Sequence, residues 1–184
     1  LFTFTLAAGV ASWLVGNLLW LAGFSIFEVV PWWAGFLVLT IAGERLELSR
    51  FLPPSPVAQR VFIGVLAGLT FGMAFQPQVF GAALLVLALW LLRQDIARRT
   101  VKDTGLTRFI AVCLLSGYAW LALAGAIMLA AGLAPGNAAY DAALHALMLG
   151  FVFSMVFGHA PIIFPAVLRV AVPYHPLFYA PLAL

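Results

Sequence analysis

Long apolar runs alternate with short polar interruptions along the whole chain, and this alternation predicts a series of membrane-crossing helices. A hydrocarbon core of about 30 Å takes about 20 helical residues to cross. On that measure, spans fall at residues 2–27, 32–48, 57–75, 79–92, 108–131 and 140–168, with a seventh starting near Pro176. The breaks at 28–31, 53–56, 76–78, 93–108, 134–137 and 173–176 carry the proline, glycine, asparagine and charged residues that end helices. The expected fold is all-α: a polytopic transmembrane helix bundle of about six complete spans plus the start of a seventh. It forms one transmembrane helical domain over residues 1–184. The first run is longer than a signal-peptide core and is followed by further spans, so it is read as a retained helix. Leu1 stands where an initiator methionine is expected, and Leu184 lies inside an apolar run too short to cross, so the expectation is a piece of a longer chain.

Composition supports the bilayer as the solvent. The chain is 65% hydrophobic and 8% charged, against about 45–50% apolar and about 25% charged in soluble domains. The net charge of +3 does not indicate nucleic acid, because the nine basic residues sit in a few short loops. They act as topology signals. Arg45, Arg50 and Arg60 flank the second loop; Arg93, Arg98, Arg99, Lys102 and Arg108 flank the fourth; Arg169 follows the sixth span. Cytoplasmic loops hold the excess of Lys and Arg, which places the N-terminus in the cytoplasm, in a bacterial inner membrane. Trp32 and Trp33 then mark the outer interface and Trp90 the inner one. Small residues at helical spacing, Gly64, Gly68 and Gly72 in the third span and Gly9, Gly16 and Gly23 in the first, predict close helix packing. Asn17 is read as an interhelical hydrogen-bonding residue. The lone Cys113 excludes a disulfide framework or a thiolate metal cluster.

Chemistry is concentrated in the sixth span. At about 100° per residue, His145, Met148, Val152, Met155 and His159 fall on one stripe, with Gly150 and Ser154 on the other side. A straight helix separates the two histidines by roughly 21 Å, too far for one metal ion. Imidazole is an axial ligand for haem iron, so each histidine is a candidate haem-iron ligand at its own site; the alternative is a hydrogen bond across a helix interface. Pro161 and Pro165 each remove an amide donor and predict a kink beside His159. His175, between prolines, is read as a surface or interfacial residue. Glu44 lies about 18 Å along the second span, where a carboxylate is either a proton relay or the partner of Arg45 or Arg60. Arg45 and Glu47 are expected to snorkel to the interface.

The stretch His145-Ala146-Leu147-Met148-Leu149-Gly150, followed by Gly158-His159, resembles the histidine-bearing segments of the NnrS family. Those are bacterial membrane proteins of nitric oxide metabolism, related in architecture to the catalytic subunit of haem-copper oxidases. The resemblance implies haem, and also copper, bound through histidine. The spacing from His145 to His159 also looks like the paired histidines on one helix of a respiratory cytochrome b, which would need partners from further helices or another membrane subunit. The expected function is a haem-binding membrane protein of nitric oxide response or respiratory redox chemistry. The alternative is a cofactor-free transporter, in which the proline-interrupted sixth helix lines the binding site and His159 takes up protons.

Overall fold

The computed structural model describes residues 1–48, 55–170 and 173–183. Arg50, Pro53 and Pro54, to which the sequence assigns topology and a chain break, lie outside the described residues. The helices are α1 (Phe2–Leu21), α2 (Ile26–Leu48), α3 (Pro56–Phe75), α4 (Pro77–Gln94), the short α5 (Ala97–Thr100) and α6 (Gly105–Ala131). The sixth span is one rod of 31 residues, made of α7 (Ala138–His145), a π-helical segment (Ala146–Val152) and α8 (Phe153–Leu168). A 3₁₀ turn (Pro176–Tyr179) and α9 (Ala180–Ala183) follow it. Six helices are long and apolar enough to cross a bilayer, and the protein is an all-α integral membrane protein.

Local chemistry explains where several boundaries depart from the apolar ruler. The first span ends at Leu21 rather than residue 27, and α2 starts at Ile26 rather than residue 32. Glu28 accepts hydrogen bonds from the Ser25 amide at 2.9 Å and the Ser25 hydroxyl at 2.8 Å, half of the reciprocal cap that starts helices at Ser-x-x-Glu. Pro31 is therefore inside α2, where it removes one intrahelical bond. At α3, the Ser55 hydroxyl accepts from the Ala58 amide at 3.2 Å, and Pro56 and Pro77 each open a helix where a missing N–H matters least. The kink expected at Pro161 and Pro165 is not a break: α8 runs through both and ends at Arg169 in the left-handed region, φ 54°. The irregularity comes earlier, at Ala146–Val152, as the π segment.

α4 packs against both α3 and α6, and α6 packs against the α7–α8 rod. α1 and α2 form an antiparallel pair, and α2 meets α3 and the π segment. Small residues set the closest crossings. A Cβ on Gly81 would stand 2.5 Å from the Leu129 amide nitrogen, and one on Gly125 would stand 2.6 Å from that of Leu85, so these two glycines let α4 and α6 touch backbone to backbone. Gly68 and Gly72 face α4 as expected, whereas Gly64 and Gly23 have nothing within 4 Å. The core between the helices holds Tyr118, Phe62, Phe80, Phe109 and Phe151, all fully buried. The outward faces are apolar, with Leu21 81% and Phe4 77% exposed, as helices in lipid require.

Trp90, near the basic end of α4, is buried, packs on Phe62 with centroids 4.8 Å apart, and donates its indole N–H to the Ala58 carbonyl at 2.9 Å, tying α4 to α3. One sequence expectation is corrected. Asn17 is half-buried and makes no hydrogen bond to another helix among the described residues. On α1 that role falls to Ser12, whose hydroxyl lies 3.9 Å from the Met73 sulfur on α3.

Candidate functional site

Short connections turn successive helices over, so the eight described basic residues all come to one end of the bundle, called here the basic end. In that half, four polar side chains from four elements meet in the packed interior. Arg45 comes from the last turn of α2, Asp95 from the residue after α4, Tyr118 from α6 and His159 from α8. Arg45 is 8% exposed, the Asp95 side chain 5% and Tyr118 0%. Arg45 Nη2 lies 2.5 Å from His159 Nε2, and Arg45 Nη1 lies 3.9 Å from Asp95 Oδ2. The Tyr118 hydroxyl donates to the same Asp95 Oδ2 at 2.5 Å. Asp95 Oδ1 accepts the Ala97 amide at 2.8 Å, a local turn that starts α5 and fixes the carboxylate.

The hydrogen bonds decide the state of His159. A guanidinium only donates, so Nε2 is the acceptor, and Nδ1, 2.5 Å from the Met155 carbonyl, is the donor. Both ring nitrogens are engaged in this arrangement. Charged groups buried together are kept when they pair, and the pairing here is incomplete: Arg45 Nε has no partner, and 3.9 Å exceeds a direct hydrogen bond.

His145 is placed quite differently. It is exposed, and its Nδ1 lies 2.7 Å from the Asp141 carbonyl, which sets Nδ1 as the donor and leaves Nε2 as a lone pair without a partner among the described residues. The ring lines a groove of about 340 Å³ between α6 and the α7–α8 rod, walled by Trp120, Leu123, Leu149 and Phe157 and reached by Pro181. Trp120 packs flat against Gly150, where no side chain fits. The expected single stripe of His145 and His159 is not formed. It assumed 100° steps throughout, and the i→i+5 bonding of Ala146–Val152 takes up about one extra residue. His145 therefore opens outward while His159 turns toward α2.

The remaining sequence candidates separate cleanly. Glu44, named as a proton relay, is exposed; the neighbouring Arg45, expected to snorkel, is the buried residue and pairs with Asp95. One helical step of about 100° produces that exchange. His175 is exposed and accepts the Leu177 amide at 3.2 Å as the cap of the 3₁₀ turn. Asp95 and Tyr118 were not singled out from sequence; the available signal was an acid directly after an apolar span and a tyrosine in the middle of another.

Comparison with known proteins adds the family. A family model matches residues 1–184, the full sequence. The chain belongs to the DUF8744 family. Its description is a domain of unknown function. No curated protein and no solved structure matches the chain. Among the described residues no three His, Cys, Asp or Glu side chains are grouped to hold a metal ion. In this DUF8744 member, His145 keeps one ring nitrogen without a partner among the described residues, whereas both ring nitrogens of His159 are engaged.

At the opposite end of the bundle, a cleft of about 470 Å³ lies between the α1–α2 pair and helices α3 and α4. Phe24, Trp32, Phe75 and Phe80 form its apolar walls, with Glu28 and Gln76 at its polar edge.

Proposed function

We propose that the protein is a haem-binding integral membrane protein of redox chemistry, of the nitric oxide or respiratory kind, with His145 as the iron ligand. The observation that carries this reading is the hydrogen bond from His145 Nδ1 to the Asp141 carbonyl, which orients the ring and frees Nε2 beside an apolar groove. Iron-binding imidazoles characteristically donate their other N–H to such an acceptor. The adjoining π segment adds support, because single π turns within α-helices occur frequently at functional sites. Bound haem would supply electron transfer or gas binding at iron, while the chain holds the imidazole and walls the site off from water. A second ligand to the iron, and any copper site, would come from further helices of the same chain or from another membrane subunit. The resemblance to the NnrS family agrees with this reading. The cluster of cations at one end supports a bacterial inner-membrane protein with a cytoplasmic N-terminus. Haem titration into the purified protein tests the reading: saturable binding with a Soret shift, abolished in His145→Ala and kept in Glu44→Gln, supports it, and equal binding by all three sinks it.

A second reading, a cofactor-free transporter, is favoured by one pairing of features. The bundle has a cleft beside Trp32 at one end, and the Arg45 cluster ties helices together in the half toward the basic end. Such asymmetry is what an alternating-access protein presents in one of its states. Pro161 and Pro165 lie inside α8, where each removes one intrahelical hydrogen-bond donor. Solute flux into liposomes by colourless protein would favour this reading over haem.

A further inference from the structure

The Arg45 cluster is not used by the haem reading, and its hydrogen-bond chemistry has a consequence of its own. We propose that it is a proton-binding site inside the bundle: His159 takes a proton at Nε2, and this breaks the tie between α2 and α8.

In the arrangement described, His159 Nε2 offers a lone pair to Arg45 Nη2, and Nδ1 is committed to the Met155 carbonyl. Adding a proton at Nε2 turns that acceptor into a donor. Two cationic donors then face each other at a separation that only a donor and an acceptor tolerate, so the contact opens. The new imidazolium N–H can turn to Asp95, the carboxylate of this cluster, which receives the Tyr118 hydroxyl and lies beside Arg45. Asp95 would then be shared between the imidazolium and the guanidinium, and Arg45 moves with α2. The proton comes from the aqueous phase at the basic end; no bond other than the N–H forms, and the cluster gains one positive charge.

Two features favour a working site over a static tie. A purely structural cluster is expected to satisfy its buried donors, yet Arg45 Nε has no partner among the described residues, and Arg45 stands 3.9 Å from Asp95, beyond direct hydrogen bonding. The cluster is also the point at which α2, otherwise in modest contact with the α3–α8 body, is joined to it by polar bonds. The groups around His159 are few. α2 brings Arg45, with Glu44 exposed and Glu47 half-buried next along; the α4–α5 junction brings Asp95; α6 brings Tyr118 and the buried Cys113, which abuts Gly158; α9, Ala180–Ala183, brings no titratable side chain. Imidazole as a class changes charge between about pH 5 and 8, where Arg, Tyr and Asp side chains ordinarily do not.

The test is nitrogen NMR of the full protein, labelled with ¹⁵N-histidine in lipid nanodiscs, from pH 8 to pH 5, with His159 assigned by the loss of its signal in His159→Gln. Spin labels at the exposed Leu48 and Val167 report the α2–α8 distance on the same samples. The expected result is conversion of His159 Nε2 from unprotonated to protonated, accompanied by a change in the labelled distance that is absent in His159→Gln. An Nε2 signal that stays unprotonated across the range overturns the proposal, and so does a distance change that persists in His159→Gln. Neither readout depends on haem at His145, and where His159→Gln fails to fold, His145→Gln and His175→Gln assign the remaining signal to His159 by elimination.

Discussion

Replacing Asp95 by Asn removes one negative charge from the cluster while keeping the oxygen that accepts the Ala97 amide, so it weakens the pairing with Arg45 and also replaces the oxygen that accepts the Tyr118 hydroxyl. At 3.9 Å, and with an effective dielectric constant of about 20, the attraction between the two charges is about 4 kcal/mol. The guanidinium is 8% exposed and gains little water in exchange. Breaking a buried pair from one side costs about 3–5 kcal/mol, and the length of this contact argues for the lower end, about 3 kcal/mol. For a chain of this size that lowers the melting temperature by about 6–12 °C. The informative comparison is with Arg45→Met/Asp95→Asn, which removes both charges and should recover at least about 2 kcal/mol of the loss. Thermal unfolding of the three proteins in one detergent measures this. A double variant no more stable than Asp95→Asn, or an Asp95→Asn protein within about 0.5 kcal/mol of the parent, would refute the electrostatic reasoning.

Other regions give sharper structural tests. Gly125→Leu forces a side chain onto the α4 backbone, 2.6 Å from Leu85 N, and should destabilise by more than about 3 kcal/mol; Gly64→Leu, facing open space, should change stability by less than about 0.5 kcal/mol, and equal effects would contradict the packing described. Trp90→Phe loses the bond to the Ala58 carbonyl and should cost about 1 kcal/mol in chemical unfolding; a neutral result would mean that the indole tie between α3 and α4 is not made. Cys113 is fully buried, so a maleimide should label it only on unfolding, and rapid labelling of the native protein would contradict its placement against Gly158.

The fold was legible because the bilayer imposes a length on every span, and five of the six breaks fall on turn residues that the structure also uses. What escaped was local. The Ser25–Glu28 cap pulled the start of α2 to Ile26 and left Pro31 inside a helix, although the Ser-x-x-Glu spacing was there to be read. The π segment has no comparable signature, and it alone undid the shared stripe of His145 and His159. The candidate site was half legible. Both histidines stood out as ionisable groups in an apolar span, but the side-chain partner of His159 comes from a helix 114 residues back in the chain, at Arg45. One sequence has no means of pairing such residues. It also ranked Glu44 above Arg45, because a carboxylate in lipid is the harder group to place and the helical phase that exposes it is fixed by packing.

The haem assignment stands or falls on optical spectra of the full-length protein, oxidised and reduced, recorded beside His145→Ala and His159→Gln. The account predicts a Soret band that sharpens and shifts on reduction, is lost in His145→Ala and survives in His159→Gln. A folded parent protein that is colourless after expression with haem, or a spectrum that depends on His159 and not on His145, would contradict it.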